Sequence, residues 1–325
     1  MSLQQPELSG ALWLASWARL TTLALLPMLA GYAGDWHWLL DLCAHFRWQY
    51  AIVFALGLVP AVLLRKRGLL ALLVAGSLLN GWSLVSANGP LPVPLSTPAA
   101  TSAPSWKLLV VNVHVGLVDT HPLLDLIEQE SPDVIGIIEL SPAVDQTLRV
   151  LDVRYPTHRS QPRDDPFGIG LWTRQPASAI EILSTPPLGF PSLLLRWGGA
   201  VPSSLWLVHP FPPISAEAAL WRDQQLAHIA SQIGRDAQAL VAGDFNATPW
   251  SAAYRSFRRS TDLQDSSAAT LPWPTWFGGS AATSILALPI DHVLHGARWR
   301  VVERRIGPDI GSDHRPLIVR FGQVH

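Results

Sequence analysis

Two runs in the first quarter of the chain carry no charge: WQYAIVFALGLVPAVLL at 48–64 and GLLALLVAGSLLNGWSLVSA at 68–87. About 20 apolar residues span a hydrocarbon core, so the second run is long enough and the first sits at the short limit. Residues 8–34 form a third apolar stretch, interrupted only by Arg19 and bearing Pro27. The pattern predicts a bundle of about three transmembrane helices, at about 10–33, 48–64 and 68–87. A cleaved leader does not fit the first stretch, because Arg19 falls inside it and two further spans follow.

The basic turn RKR at 65–67 sets the expected orientation, since Lys and Arg concentrate in short cytoplasmic loops. The third span then exits on the other side and carries the rest outward. Trp36, Trp38 and Trp48 would sit at the outer interface; Arg47 is one basic residue against this arrangement. Residues 88–105, NGPLPVPLSTPAATSAPS, hold five prolines and read as an extended linker.

From 106 onward the period changes. WKLLVVNV (106–113), DVIGIIEL (133–140), FGIGLWTR (167–174), PSLLLRW (191–197), SSLWLVH (203–209) and AQALVAGD (237–244) read as strands, with PIDHVLHG and PLIVRFG closing the chain. HPLLDLIEQE (121–130) has helical spacing. SAEAALWRDQQLAHIASQIG (215–234) does too, with Ser215 as cap and Gly234 as stop. Mixed strands and helices over residues 106–325 predict an α/β sandwich with its helices outside.

Composition agrees with this division. The chain is 49% hydrophobic and only 14% charged, where about 25% charged is usual for soluble proteins. One cysteine, Cys43, excludes a disulfide framework and a Cys-based zinc site. From residue 106 on, 17 Arg and Lys107 face 21 acidic residues, a net charge of −3 that disfavours indiscriminate duplex binding.

Polar residues interrupt the apolar strands at their ends. Asn112 follows LLVV, Glu139 follows VIGII, His209 follows LWLV, and Asp244 and Asn246 follow ALVAG. Asp291 and His292 follow LPI, while Ser312, Asp313 and His314 precede RPLIV. Each alone has an ordinary structural reading: a satisfied core amide, a surface acid, a helix cap near Trp250, a polar loop. Six such ends in one phase point instead to a shared polar pocket rich in oxygen ligands.

NVH at 112–114, IIEL at 137–140, GDFN at 243–246, IDHV at 290–293 and GSDHRP at 311–316 together resemble the endonuclease/exonuclease/phosphatase superfamily. The motifs occur in family order over 106–321, and the whole chain is similar to bacterial membrane-anchored members. The resemblance implies a four-layer α/β sandwich, two packed mixed β-sheets flanked by helices. It implies phosphate-ester hydrolysis with Mg²⁺, Mn²⁺ being a substitute, and Glu139 as main metal ligand beside Asn112 and Asp313. Asp244 would orient or deprotonate the attacking water, and Asn246 would donate to the phosphoryl oxygen or the nucleophile. His314 would contact the scissile phosphate, Asp291 would fix its tautomer, and His209 would donate to the phosphate or leaving oxygen. Where family nucleases carry an acid two residues after the first asparagine, this chain has His114. Trp276, in LPWPTWFGG, Asp165, in RDDPFG, and His114 are candidate substrate-side residues.

The expected domains are a membrane region (1–87), a linker (88–105) and a catalytic domain (106–325). The expected place is a bacterial inner membrane, multi-pass, with the catalytic domain on the periplasmic side. The expected substrate is a phospholipid headgroup or nucleic acid, with no specific protein partner inferred. A short tether near a bilayer favours the headgroup. An extracytoplasmic nuclease and an inactive binding or sensor module are the alternatives, the latter disfavoured by the complete set of acid, amide and imidazoles.

Overall fold

The computed structural model describes residues 5–87, 105–175, 177–197, 204–268, 270–278 and 283–324. The linker expected at 88–105 lies outside them except for Ser105. Two compact units result, one built on Met1–Ala87 with Trp250–Ala252, the other on the remainder.

The first unit is helical: α1 (Gln5–Thr22), α2 (Leu25–Ala30), α3 (Trp38–Ala44), α4 (Arg47–Leu63) and α5 (Arg67–Ser86). The segments Leu12–Ala33 and Arg67–Ser86 are long and apolar enough to cross a membrane. α3 and α4 are bent by 60° at their junction and supply a third span only if they act together. The first segment breaks at Leu23 and Ala24 because Pro27, one turn on, has no N–H for the Leu23 carbonyl. Arg47 is not a loop charge. It is 2% exposed, its Nη1 donates to Met28 O at 3.1 Å, and its guanidinium lies 4.3 Å from the Tyr32 ring centre.

The second unit is a four-layer α/β sandwich. Its strands are β1 (Ser105–Asn112), β2 (Val134–Ile138), β3 (Thr157–Gln161), β4 (Ile169–Thr173), β5 (Ala179–Thr185), β6 (Phe190–Arg196), β7 (Ser204–Val208), β8 (Ala239–Asp244), β9 (Gln264–Asp265), β10 (Asp291–His295), β11 (Trp299–Ile306) and β12 (Leu317–Gln323). One mixed sheet has the order β11-β12-β1-β2-β4-β3, the other β5-β6-β7-β8-β10-β9. The helices are α6 (His121–Glu130), α7 (Pro142–Leu148), α8 (Ala216–Ile233) and α9 (Ala252–Thr261).

The period of two explains the layers. Leu108 and Val110, Leu205 and Leu207, Leu240 and Ala242, and Val293 share one core between the sheets. Their neighbours Leu109, Val111, Ile135 and Ile137 pack outward with Leu123, Leu126 and Ile127 of α6. Val241 and Leu294 pack outward with α8 and α9. The cap expected at Ser215 is present, its Oγ accepting from Ala218 N at 3.1 Å.

Four strands escape the sequence pattern: β3, β5, β9 and β11. All four are sheet edges. Edge strands face solvent and carry polar residues, as in THRSQ and WRVVERRI, so the apolar signal is lost.

Candidate active site

Strand parity places the site. Asn112 continues the inward series of Leu108 and Val110, His209 that of Leu205 and Leu207, and Asp244 that of Leu240 and Ala242. Asp291 precedes inward Val293 by two residues, and pairs directly with Asp244 in the antiparallel register of β8 and β10. All four side chains therefore face between the sheets, at strand ends, and all four residues are buried. His292 has the opposite parity and points outward. Its ring meets Asp265 and the Ala247 carbonyl, away from this cluster.

Glu139 breaks the alternation. As an odd-numbered neighbour of Ile135 and Ile137 it would face outward, but its φ of 58° turns the chain. Its Oε1 then accepts from Asn112 Nδ2 at 2.9 Å and its Oε2 from Val115 N at 3.0 Å. Asn112 Nδ2 also donates to Asp244 Oδ2 at 3.2 Å. One amide group thus ties Glu139 on one sheet to Asp244 on the other. The amide oxygen of Asn112 is taken by His114 N at 2.9 Å.

Gly243 lets β8 approach β7 at this point. Its φ is 147°, and a Cβ there would lie 1.9 Å from Val208 O. Three residues on, Asn246 has φ 47°. Its N–H donates to Asp244 Oδ1 at 2.8 Å, and its Nδ2 donates to Pro210 O at 3.0 Å. The turn read in the sequence as a helix cap or half an active site is an Asx turn that fixes the Asp244 carboxylate.

His314 Nδ1 donates to Asp291 Oδ2 at 2.8 Å. Its Nε2 stands 3.7 Å from Asp244 Oδ2, and His209 Nε2 stands 3.6 Å from the same oxygen. Asp244, Asp291 and His314 each present one ligand atom within 4.8 Å of the others, a group able to hold a metal ion. Burial pushes the Asp244 carboxyl up and the Asp291 charge adds to that, against the lowering pull of His314 and His209, leaving it at about 6. Burial pulls the other way on His314, but Asp291, Asp244 and Asp313 outweigh it and raise the imidazole to about 10. At neutral pH a carboxylate and an imidazolium therefore face each other.

Asp313 Oδ2 accepts from Trp276 Nε1 at 2.9 Å. Its Oδ1 is buried with no hydrogen-bond partner among the described residues. Trp276, expected as a substrate platform, is bridged to His314 through the backbone and spends its indole N–H on Asp313. Asp165 is engaged by Arg163 and by Phe167 N at 3.0 Å. No contact among the described residues joins it to the cluster. His114 is exposed, with φ 60°, and its Nδ1 accepts from Gly116 N at 3.2 Å.

Three supporting groups carry no role in the sequence reading. Thr275 Oγ1 accepts from Asp291 N at 3.1 Å. Ser312 Oγ donates to Asn112 O at 2.8 Å and accepts from His314 N at 3.1 Å, joining two motif segments. The Phe167 ring packs 5.5 Å from that of His209. Ser312 had a local signal, a hydroxyl two residues before the histidine, as ST turns require; the others come from distant segments.

The sequence model of the Endonuclease/Exonuclease/phosphatase family matches residues 109–314, well over half of the chain. The chain belongs to the endonuclease/exonuclease/phosphatase family. It is accordingly a hydrolase acting on phosphoester bonds. Among solved structures it is similar to an endonuclease/exonuclease/phosphatase from Beutenbergia cavernae DSM 12333, at 17% identity over 67% of this chain and 72% of that one, TM-score 0.55. It is also similar to D. rerio TDP2 complexed with a single-strand DNA product, at 18% identity over 67% and 99%, TM-score 0.55. A third is a 3′ phosphatase, NExo, from Neisseria bound to a product DNA hairpin, at 16% identity over 66% and 98%, TM-score 0.52. These similarities establish the fold. No curated protein matches the sequence.

Proposed function

We propose that this protein is a membrane-anchored, Mg²⁺-dependent phosphoesterase, with residues 106–325 as its catalytic domain on the extracytoplasmic side. The observation that carries the reading is the Asn112 amide shared between Glu139 and Asp244, which couples an acidic ligand to a buried base. In this reading Asp244 orients the attacking water and accepts its proton. Asn246 has one amide N–H committed to Pro210 and a second available for a phosphoryl oxygen. His314 Nε2–H and His209 Nε2 address the phosphate, and Asp291 holds the His314 ring in orientation.

The donors present fit a hard cation. Glu139 accepts two hydrogen bonds and keeps lone pairs to spare, and Asp313 Oδ1 has no other partner. Glu139 and Asp313 would hold Mg²⁺ with Asn112 beside them, whose amide oxygen accepts one hydrogen bond from His114 N and keeps a second lone pair. Bound there, Mg²⁺ supplies polarisation of a phosphoryl oxygen and offsets leaving-group charge. The Asp244, Asp291 and His314 group is the competing place for the ion.

Full-length protein in detergent is expected to hydrolyse a generic phosphodiester, to stop in EDTA and to recover with Mg²⁺. Hydrolysis undiminished in EDTA would remove the metal from the reading; none under any condition would leave an inactive binding module. Liposomes and plasmid DNA, assayed side by side, separate the two substrate classes. The two nucleic-acid-bound structural relatives favour testing DNA, whereas the net-acidic domain and short tether favour the phospholipid headgroup.

Asp291→Asn is expected to reduce turnover about tenfold to a hundredfold and to lower the His314 pKa, followed by ¹⁵N-histidine NMR. An unchanged His314 titration would contradict the orienting role. A periplasmic reporter fused at residue 100 is expected to be active. Activity of a cytoplasmic reporter at that position instead would reverse the topology.

A further inference from the structure

The basic residues of the helical unit converge on one place. Arg65 and Lys66 lie between α4 and α5, Arg67 is the first residue of α5, and Arg65 has φ 51°. Arg19, in α1, lines the same cleft of about 570 Å³, together with Ala15 and Leu69. The first apolar segment runs antiparallel to α4: Met28 meets Arg47 at one end, and Arg19 and Arg65 line one cleft at the other. All four cations are exposed. Among the described residues no hydrogen bond or ion pair engages any of their side chains.

The turn cations have an ordinary explanation, since cytoplasmic loops are basic. Arg19 does not share it. It interrupts an apolar segment, where a cation is retained against a cost and marks a functional position by default. Four positive charges without counter-charges repel one another, and a cleft that gathers them is stabilised by an anion. Its walls are aliphatic at Ala15 and Leu69, so the anion it suits is phosphate attached to an apolar body.

We propose that this cleft binds the phosphodiester headgroup of an anionic phospholipid at the basic end of the helical unit. The inference rests on the membrane-spanning reading above. The ligand chemistry is a phosphate diester anion; its source is the bilayer rather than solution.

The test uses the full chain in non-ionic detergent and native mass spectrometry of retained lipid. Phosphatidylglycerol is expected to be retained over phosphatidylcholine of the same chain length. Arg19→Gln is expected to weaken phosphatidylglycerol retention by roughly fivefold, the worth of one basic residue near an anionic headgroup. Arg19→Lys should keep it, and Arg235→Gln, an exposed cation of the other unit, should leave it unchanged. Equal retention of the two lipids, or no effect of Arg19→Gln, overturns the proposal. So does displacement of the lipid by inorganic phosphate as readily as by phosphatidylglycerol, which would make the cleft a soluble-anion site. Alkaline extraction of native membranes judges the spanning reading separately. Protein released by it would refute the spans, while the lipid measurement in detergent stands on its own.

Discussion

Asp244→Asn is expected to cut phosphoester turnover by about 10²–10⁴-fold while leaving the protein at least as stable as before. The first half follows from position. Asp244 Oδ2 is addressed by Asn112, His209 and His314 together, and the amide replacing it cannot accept a proton from water. The second half follows from burial. The carboxyl is 2% exposed and raised from 3.8 to about 6. A folded-state pKa above the unfolded value means the group contributes stability fully present below pH 3.8 and lost as pH rises through about 6. At neutral pH the ionised form is therefore a burden on the fold. An uncharged isostere relieves it. Steady-state kinetics and denaturant midpoints on the same preparation check both halves. Turnover near wild type would remove Asp244 from the chemistry. Loss of activity with an equal loss of stability would make its role structural. His314→Ala is expected to lose a comparable factor, since it removes a preorganised donor.

The opposite sign is expected at Asp265→Asn, which should destabilise the catalytic domain by about 3–5 kcal/mol with little change in turnover per folded molecule. Asp265 is 1% exposed. Its carboxylate accepts from His292 Nδ1 at 3.0 Å, from Ser267 N and Ser267 Oγ at 2.7 Å, and from the Tyr254 hydroxyl. His292 Nε2 lies 2.8 Å from Ala247 O, so both ring nitrogens face acceptors and both are placed to donate. Burial alone would raise the Asp265 pKa; His292, Arg304 and Tyr254 overcome it and hold the carboxyl well below the usual carboxylate range. The folded pKa is depressed, so this contribution is present above the unfolded value of 3.8 and declines as pH falls below it. Unfolding free energy measured from pH 7 down into the acid range should therefore fall more steeply in the wild type than in the variant. A variant as stable as wild type at pH 7 would show that the network carries no net stabilisation. Two buried aspartates, each near a histidine, thus differ in setting: Asp244 is held at a cost in the Asp/Asp/His cluster, and Asp265 is paired with His292, Ser267 and Tyr254.

The core strands and amphipathic helices were legible because period two and period 3.6 put apolar residues on the faces that pack. β3, β5, β9 and β11 were not, because an edge strand owes its pairing to a neighbour rather than to its own apolar face. Asn112, Glu139, Asp244, Asp291, Asp313 and His314 were legible as strand-end interruptions in family order. Their division of labour was not. The sequence placed Asp291 and His292 side by side, and strand parity sends one to the site and the other to Asp265. Trp276 read as loop packing or a substrate-side residue, and only the fold shows that its indole N–H donates to Asp313. Arg47 read as a loop cation, yet it is buried.

Local chemistry was therefore written along the chain: apolar runs, turn residues, the Asx turn at Asp244 and the polar strand ends. These depend on residues within a few positions of one another, and no tertiary contact is needed to read them. The tertiary structure alone decided which groups share a proton or a lone pair. Asn112 reaches Asp244 across 132 positions of sequence, and Ser312 reaches Asn112 across 200. Electrostatic interactions in a buried site act over a few ångströms of space whatever their separation in sequence, so the charge on Asp244 and the proton on His314 were set only when the two sheets closed on each other.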